Sequence, residues 1–201
     1  MAPSPWPEAA EAHEMELLLD LAQTAIFEAL TGHRSAPPDL PVLPTRLRQA
    51  TGVFVTLHVD GELNGCIGMV EGAEAVAQAV PRLALAAAFE DHRLPHLTRD
   101  DLGALVIELS LLSPLRPIPA ATWTDLITQL QPRVDGTVIR AGHRQALFLP
   151  DVWDQLPDPP DFLHHLYLKA GLTPRSWPPG MSAHRFTTQR RHRSVGAPHH
   201  T

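Results

Sequence analysis

The sequence predicts an α+β protein: a mixed or mainly antiparallel sheet flanked by helices, gathered into two poorly separable lobes. Three stretches carry that prediction. Residues 53–67 alternate apolar and polar side chains around Asp60-Gly61, the pair that supplies positive φ to a two-residue hairpin turn. Ala75, Val76, Ala79, Val80, Leu83, Ala84, Ala87 and Ala88 recur at helical spacing, and their small side chains suit close packing on a sheet. Ala104 to Leu112 is almost wholly apolar, the pattern of a strand covered on both faces.

Taken in order, residues 1–12, rich in Pro, Ala and Glu, read as a flexible N-terminus ahead of one domain over 13–188. Leu18, Leu21, Ala22, Ala25, Ile26, Ala29 and Leu30 mark a helix that Gly32 stops. Ser35–Pro44, with four prolines, reads as an irregular surface connection into a short segment at Leu47. In the hairpin, opposing Val59 with Glu62 sets Leu57 across from Asn64 and Val55 across from Cys66. The Cys66 thiol then shares the inward face with the valines. Gly65 and Gly68 leave room beside it for another backbone or a small ligand.

Pro81 should kink or divide the alanine-rich helix. Asp91–Asp101 is a polar connection, and Glu108 and Ser110 interrupt the apolar strand that follows. Prolines 114, 117 and 119 suggest another connection. Thr122, with Asp125 three positions on, starts a short helix through Leu130. Val134–Leu149 reads as a looser hairpin turning near Gly142, Asp161–Ala170 as a helix capped by Gly171, and Ala183–Thr188 as a last strand. Residues 189–201 read as a disordered tail carrying the basic run Arg190–Arg193 and His192, His199 and His200.

Bulk properties narrow the function. The 201 residues are 44% hydrophobic, enough for one sizeable core or two small lobes sharing an interface. A formal charge of −6 argues against a nucleic-acid module, which needs a basic face to displace counterions from phosphates. No apolar run is long enough to span a bilayer. A single cysteine and no leader-like opening point to a reducing, cytoplasmic setting. The only lysine, Lys169, falls near a helix C-terminus, an ordinary place for it, so Schiff-base chemistry is not expected. No glycine-rich phosphate loop appears, and no nucleotide cofactor is expected.

Two carboxyl-and-thiol positions attract chemistry. Cys66 reads as a nucleophile or soft ligand if a cation activates it, and otherwise as a buried small hydrophobe. Glu108 in its apolar strand either pairs with an arginine such as Arg93 or Arg140, or stays protonated and serves as a general acid or base. His92 and His96 could join Cys66 around a metal, but Pro95 keeps them off one helical face, and no metal is expected. Arg140, His143 and Arg144 form either a solvated turn or an anion clamp. His164 and His165 are adjacent on a helix and point apart.

GVFVTLHVDGELNGCIG resembles the core signature of the AMMECR family, whose bacterial and archaeal members are called AmmeMemoRadiSam system protein A. AAAFEDHRLPHLTRDDLGALVIELSLLSP and GHRQALFLPDVWDQLPDPPDFLHHLYLKAGL resemble its next and last blocks, so the likeness covers most of residues 13–187 in order. It implies an AMMECR-type domain with a cleft floored by the LNGCIG motif and walled by Asp91–His96. The family's Asp-x-Arg falls on Asp91 and Arg93, either an ion pair holding the loop or an anion site. Three positions depart from the family pattern: Asn64 replaces an arginine, Ala146 replaces a glycine, and Pro81 interrupts a helix. The resemblance further implies companions, a Memo-like protein and a radical SAM protein. The candidate site is therefore Cys66 and Glu108 for catalysis, with Asn64, Asp91, Arg93 and Arg144 for substrate. One reading is an enzyme or enzyme subunit handling a small molecule or peptide. The other is a non-catalytic interaction module in which the LNGCIG strand is structural.

Overall fold

Asp60 and Gly61 take φ of +52° and +82°, so the first hairpin turns through the two left-handed residues that its sequence calls for. The structure, a computed structural model, describes residues 8–32 and 39–196. The chain divides into two compact units, one taking it up to Leu112 and again from Gln189, the other Ser113–Thr188. The first unit runs α1 (Glu8–Thr31), β1 (Val53–Val59), β2 (Glu62–Met69), α2 (Val76–Phe89) and β3 (Leu105–Leu112). The second runs β4 (Arg116–Ile118), α3 (Trp123–Gln129), β5 (Gly136–Ala141), β6 (Arg144–Phe148), α4 (Pro159–Lys169) and β7 (Ser182–Phe186). The chain then returns to the first sheet as β8 (Thr188–Ser194).

Two antiparallel four-stranded sheets result, ordered β2-β1-β3-β8 and β4-β7-β5-β6. In the first, Val53, Val55 and Leu57 alternate inward and pack with Ile107 and Leu109 of β3 against Leu18, Leu19, Ala22 and Ile26 of α1 and Val80 and Leu83 of α2. Each buried Val, Leu or Ile among them stabilises the unit by about 1.5–3 kcal/mol. The alternate residues Phe54, Thr56 and His58 are only half-buried and form the opposite face. The second unit has its own core, in which Trp153 stacks on Phe162 with ring centroids 3.7 Å apart beside Leu126, Ile139 and Leu166.

Caps follow the local chemistry. Thr122 accepts from the Asp125 backbone N–H at 3.1 Å and Asp125 accepts from Ala121 N–H at 3.2 Å; the Thr122 side chain first, and then Ala121 N–H, hold the Asp125 carboxyl below its ordinary range. At the end of α4, Gly171 at φ +67° lets Leu172 N–H reach Tyr167 C=O, closing a Schellman motif. The second hairpin turns in two residues at Gly142, tighter than expected.

Several expectations are corrected. Of the N-terminus expected to be flexible through residue 12, Glu8–Ala12 is helix, since these residues are strong helix formers. Residues 1–7 and Ser35–Pro38 lie outside the described residues. The rest of the proline-rich connection contains a 3₁₀ turn at Leu40–Val42, and Leu47 is buried in a second turn at Thr45–Arg48. Pro81 lies within one continuous α2 of 14 residues, because it withholds a single N–H near the helix start while nine residues of the helix stay buried. Pro117 belongs to β4, at a sheet edge, where a missing N–H breaks no ladder bond. The expected tail is strand through Ser194: Arg191 and Arg193 reach back to Glu16 at 2.7 and 2.6 Å, partners that neighbouring residues do not reveal. His192 is thus on β8, and His199 and His200 lie outside the described residues.

Candidate functional site

Three strands converge on one polar row. Thr56 of β1 stands opposite Cys66 of β2 on one side and Glu108 of β3 on the other. The Thr56 hydroxyl lies 3.3 Å from Cys66 Sγ as its donor. This replaces the expected pairing of Val55 with Cys66, because the register shifts by one between Leu57 and His58, where Asn64 forms a bulge. A one-residue slip changes which face a side chain takes. Cys66 is accordingly half-buried on the face of Thr56 and is not packed among the valines.

The same bulge sends Gly65 toward the helices. A Cβ there would stand 2.0 Å from the Ala87 carbonyl oxygen of α2, so only glycine lets strand and helix approach this closely. A Cβ on Gly68 would meet the Phe54 ring at 2.3 Å. The space that the two glycines leave is filled from within the protein.

β2 is an edge strand, and a loop closes it at Cys66. The Asp91 carboxylate accepts Cys66 N–H at 3.0 Å, and Arg93 Nη2 donates to Cys66 C=O at 3.2 Å. Arg93 also grips Asp91 through Nε at 2.8 Å and Nη2 at 2.7 Å, a bidentate pair. Since both Cys66 backbone groups point off the sheet, Cys66 and Thr56 form a non-hydrogen-bonded pair, the closer kind, which explains the hydroxyl–thiol contact. The Asp91 side chain is 3% exposed and that of Arg93 69%. Arg93 hydrogen bonding holds the Asp91 carboxyl well below the usual carboxylate range, with Cys66 N–H adding to it against the cost of burial. The same bonds raise Arg93. The predicted ion pair holding the loop to the hairpin is thus present, and Arg93 Nη1 is the guanidinium nitrogen not engaged by Asp91 or Cys66.

Glu108 does not pair with Arg93 or Arg140. Arg93 is taken by Asp91, Arg140 Nε donates to Gln145 at 2.8 Å in the second unit, and Glu108 has no ion pair among the described residues. Asn64 is buried at 8% exposure; its Nδ2 donates to Pro95 C=O at 3.3 Å and its Oδ1 has no partner. Arg144 belongs to the second unit, where its Nη1 donates to Gly171 C=O at the end of α4. His92 and His96 are exposed, and no three of His, Cys, Asp and Glu form a metal-holding group among the described residues. His164 and His165 lie edge to face, 5.6 Å between centroids. The structure therefore joins Cys66 with Asp91 and Arg93 through the backbone and aligns it with Glu108 across the sheet. Thr56, which donates to the thiol and pairs in register with Glu108, is not among the candidates the sequence offers. Its alternation with Val55 was a visible signal that the unseen bulge misdirected.

A family model for AMMECR1 matches residues 19–191, the span that contains this row and its clamp. The chain belongs to the AMMECR1 family. A Thermofilum pendens relative is 36% identical to this AMMECR1-family chain over 190 residues, covering 89% of each. One from Methanothermobacter thermautotrophicus is 34% identical over 180 residues, 88% of this chain and 92% of the relative. The crystal structure of an uncharacterised protein from Pyrococcus horikoshii matches this AMMECR1-family fold with a TM-score of 0.80 and 30% identity, covering 90% of this chain and 91% of that one. No helix among the described residues is long and apolar enough to cross a membrane.

Proposed function

We propose that this AMMECR1-family protein is a substrate-handling enzyme or enzyme subunit whose reactive group is the Cys66 thiol, used on a small molecule or peptide. The observation that supports this reading is the row itself: a half-buried thiol, a hydroxyl at 3.3 Å and an unpaired carboxyl on the third strand, at one level of one sheet face. In this reading Cys66 attacks or holds the substrate, Thr56 orients the sulfur, and Glu108 exchanges the proton. Arg93, through Nη1, offers an anion contact beside it. Asp91 positions Arg93, and Asn64 contributes a further substrate contact. The resemblance to AmmeMemoRadiSam system protein A adds a Memo-like protein and a radical SAM protein as companions in a modification pathway within the cytoplasm.

A second reading, a non-catalytic interaction module, is favoured by a different observation. Asp91 and Arg93 bond to each other and to the Cys66 backbone, closing the β2 edge, and Gly65 serves helix packing, both structural tasks.

Alkylation separates the two readings. Cys66 is the only cysteine, so mass spectrometry reads it directly. Native Cys66 is expected to react with iodoacetamide within about tenfold of the denatured rate, with a pH profile that shifts in Glu108→Gln and Thr56→Val. Reaction only after unfolding, or a profile unmoved by both variants, overturns the enzyme reading.

A further inference from the structure

β8 lies beside β3 in the first sheet, and two backbone bonds fix its register there. Val195 N–H donates to Leu105 C=O at 2.8 Å and, at the other end, Ser113 N–H donates to Thr187 C=O at 2.9 Å. The two anchors are equally far apart on both chain segments, 105 to 113 and 187 to 195, so the ladder is antiparallel with no net bulge and sets His192 opposite Glu108. Side-chain direction agrees. Arg191 and Arg193 reach Glu16 and Asp20 of α1 on the helix face, which leaves His192 on the other face with Glu108. We infer that His192 is a further residue of the Cys66 site, a positioning group whose imidazolium faces the Glu108 carboxylate during proton exchange. The inference rests on the thiol reading of that row.

The row then runs across all four strands as Cys66, Thr56, Glu108 and His192. Hydrogen-bonded pairs alternate with the other kind along a ladder, and the anchors place them at the odd positions of β3. Glu108 and His192 are therefore a non-hydrogen-bonded pair, in which the side chains stand closest and opposite charges attract. Neither side chain is engaged by another among the described residues. His192 is exposed and Glu108 half-buried, so the imidazole is the end of the row that meets water.

The other polar groups around Glu108 are Thr56 opposite it on β1, His58 two positions along β1, Ser110 on β3 itself, and Arg190 and Ser194 two positions either side of His192. Arg190 carries a fixed charge. An imidazole changes charge between about pH 5 and 8, and His192 is the one directly opposite. The cation facing Glu108 is thus present in acid and lost as the pH rises.

The test is an NMR titration of the histidine rings and the Glu108 carboxyl in the full-length protein, with His192→Gln identifying the His192 signals. In Glu108→Gln the His192 ring should titrate about half a pH unit lower, and in His192→Gln the Glu108 carboxyl about as much higher, one coupling seen from either side. His192→Lys keeps a cation and should return Glu108 to its native titration. Cys66 alkylation by iodoacetamide at pH 6 should slow about twofold in His192→Gln, where the Glu108 charge is left uncompensated, and recover in His192→Lys. Unmoved titrations, a shift of His58 in place of His192, or equal alkylation in all three proteins overturns the inference. Native alkylation without the coupling removes this inference alone. Coupling in a protein whose thiol reacts only after unfolding removes the thiol reading, and with it the place of His192 in the site.

Discussion

Asp91 in the first unit and Asp135 in the second are both buried, at 5% and 2% exposure, and each faces an arginine at about the same separation, 2.7 and 3.2 Å. Their acidities nevertheless move in opposite directions. Asp91 is held down by Arg93, which binds it twice, and by two backbone N–H groups, of Cys66 and Arg93. Asp135 is pushed up, because burial outweighs the Gln131 N–H at 2.9 Å and the pull of Arg185. A buried carboxylate is therefore not a uniform object. The number and aim of its donors decide whether its charge stabilises the fold, and burial alone penalises that charge.

The largest expected effect is at Asp91. Asp91→Ala strips the acceptor from Cys66 N–H and the partner from Arg93, and should cost about 3 kcal/mol in urea unfolding followed by far-UV circular dichroism. A loss below about 1 kcal/mol would remove the contrast with Asp135. That deficit should also depend on pH. The folded value of Asp91 lies below its unfolded value, so its stabilisation is full above the unfolded value near 3.8 and disappears as pH falls toward the folded one. Unfolding from pH 7 to pH 2 should show the variant approaching the native protein in acid, and parallel profiles would contradict this.

Asp135→Asn should change stability by less than about 1 kcal/mol at pH 7, since it keeps an acceptor for Gln131 and relieves a desolvated charge while leaving Arg185 unpaired. Tryptophan fluorescence reports on this unit, because the Trp153 indole donates to Asp135 C=O at 2.7 Å. The sign with pH is reversed. The folded value of Asp135 is raised, so its stabilising contribution is present below the unfolded value and is lost as pH rises through the folded one. The variant should therefore compare worse with the native protein in acid than at neutrality. The smallest effect is at Asn64. Asn64→Leu removes an unpaired buried oxygen together with one weak donor, and the unfolding free energy should stay level or rise by up to about 1 kcal/mol. A large loss would mean that Oδ1 is satisfied in solution.

Much of the architecture was legible along the chain, because its causes are local. Asp60-Gly61 specifies its turn by φ, Thr122 and Asp125 cap α3, Gly171 ends α4, period-2 and period-3.6 apolar patterns mark β1, α1 and α2, and a nearly continuous apolar run marks β3. The candidate residues were legible one by one: Cys66 and Glu108 as residue types in unusual settings, and Asn64, Asp91 and Arg93 through the family resemblance. Their relations were decided in three dimensions. One bulge at Asn64 exchanged the faces of everything beyond it, putting Cys66 beside Thr56 and Gly65 against Ala87. A loop 25 residues from Cys66 in sequence supplied the carboxylate that pins its backbone. Arg193, 177 residues from Glu16, made a strand of residues that read locally as tail. Periodicity and turn chemistry act over a few residues and are written in the sequence itself. Register shifts and long-range ion pairs depend on which distant groups meet, and only the folded chain brings those together.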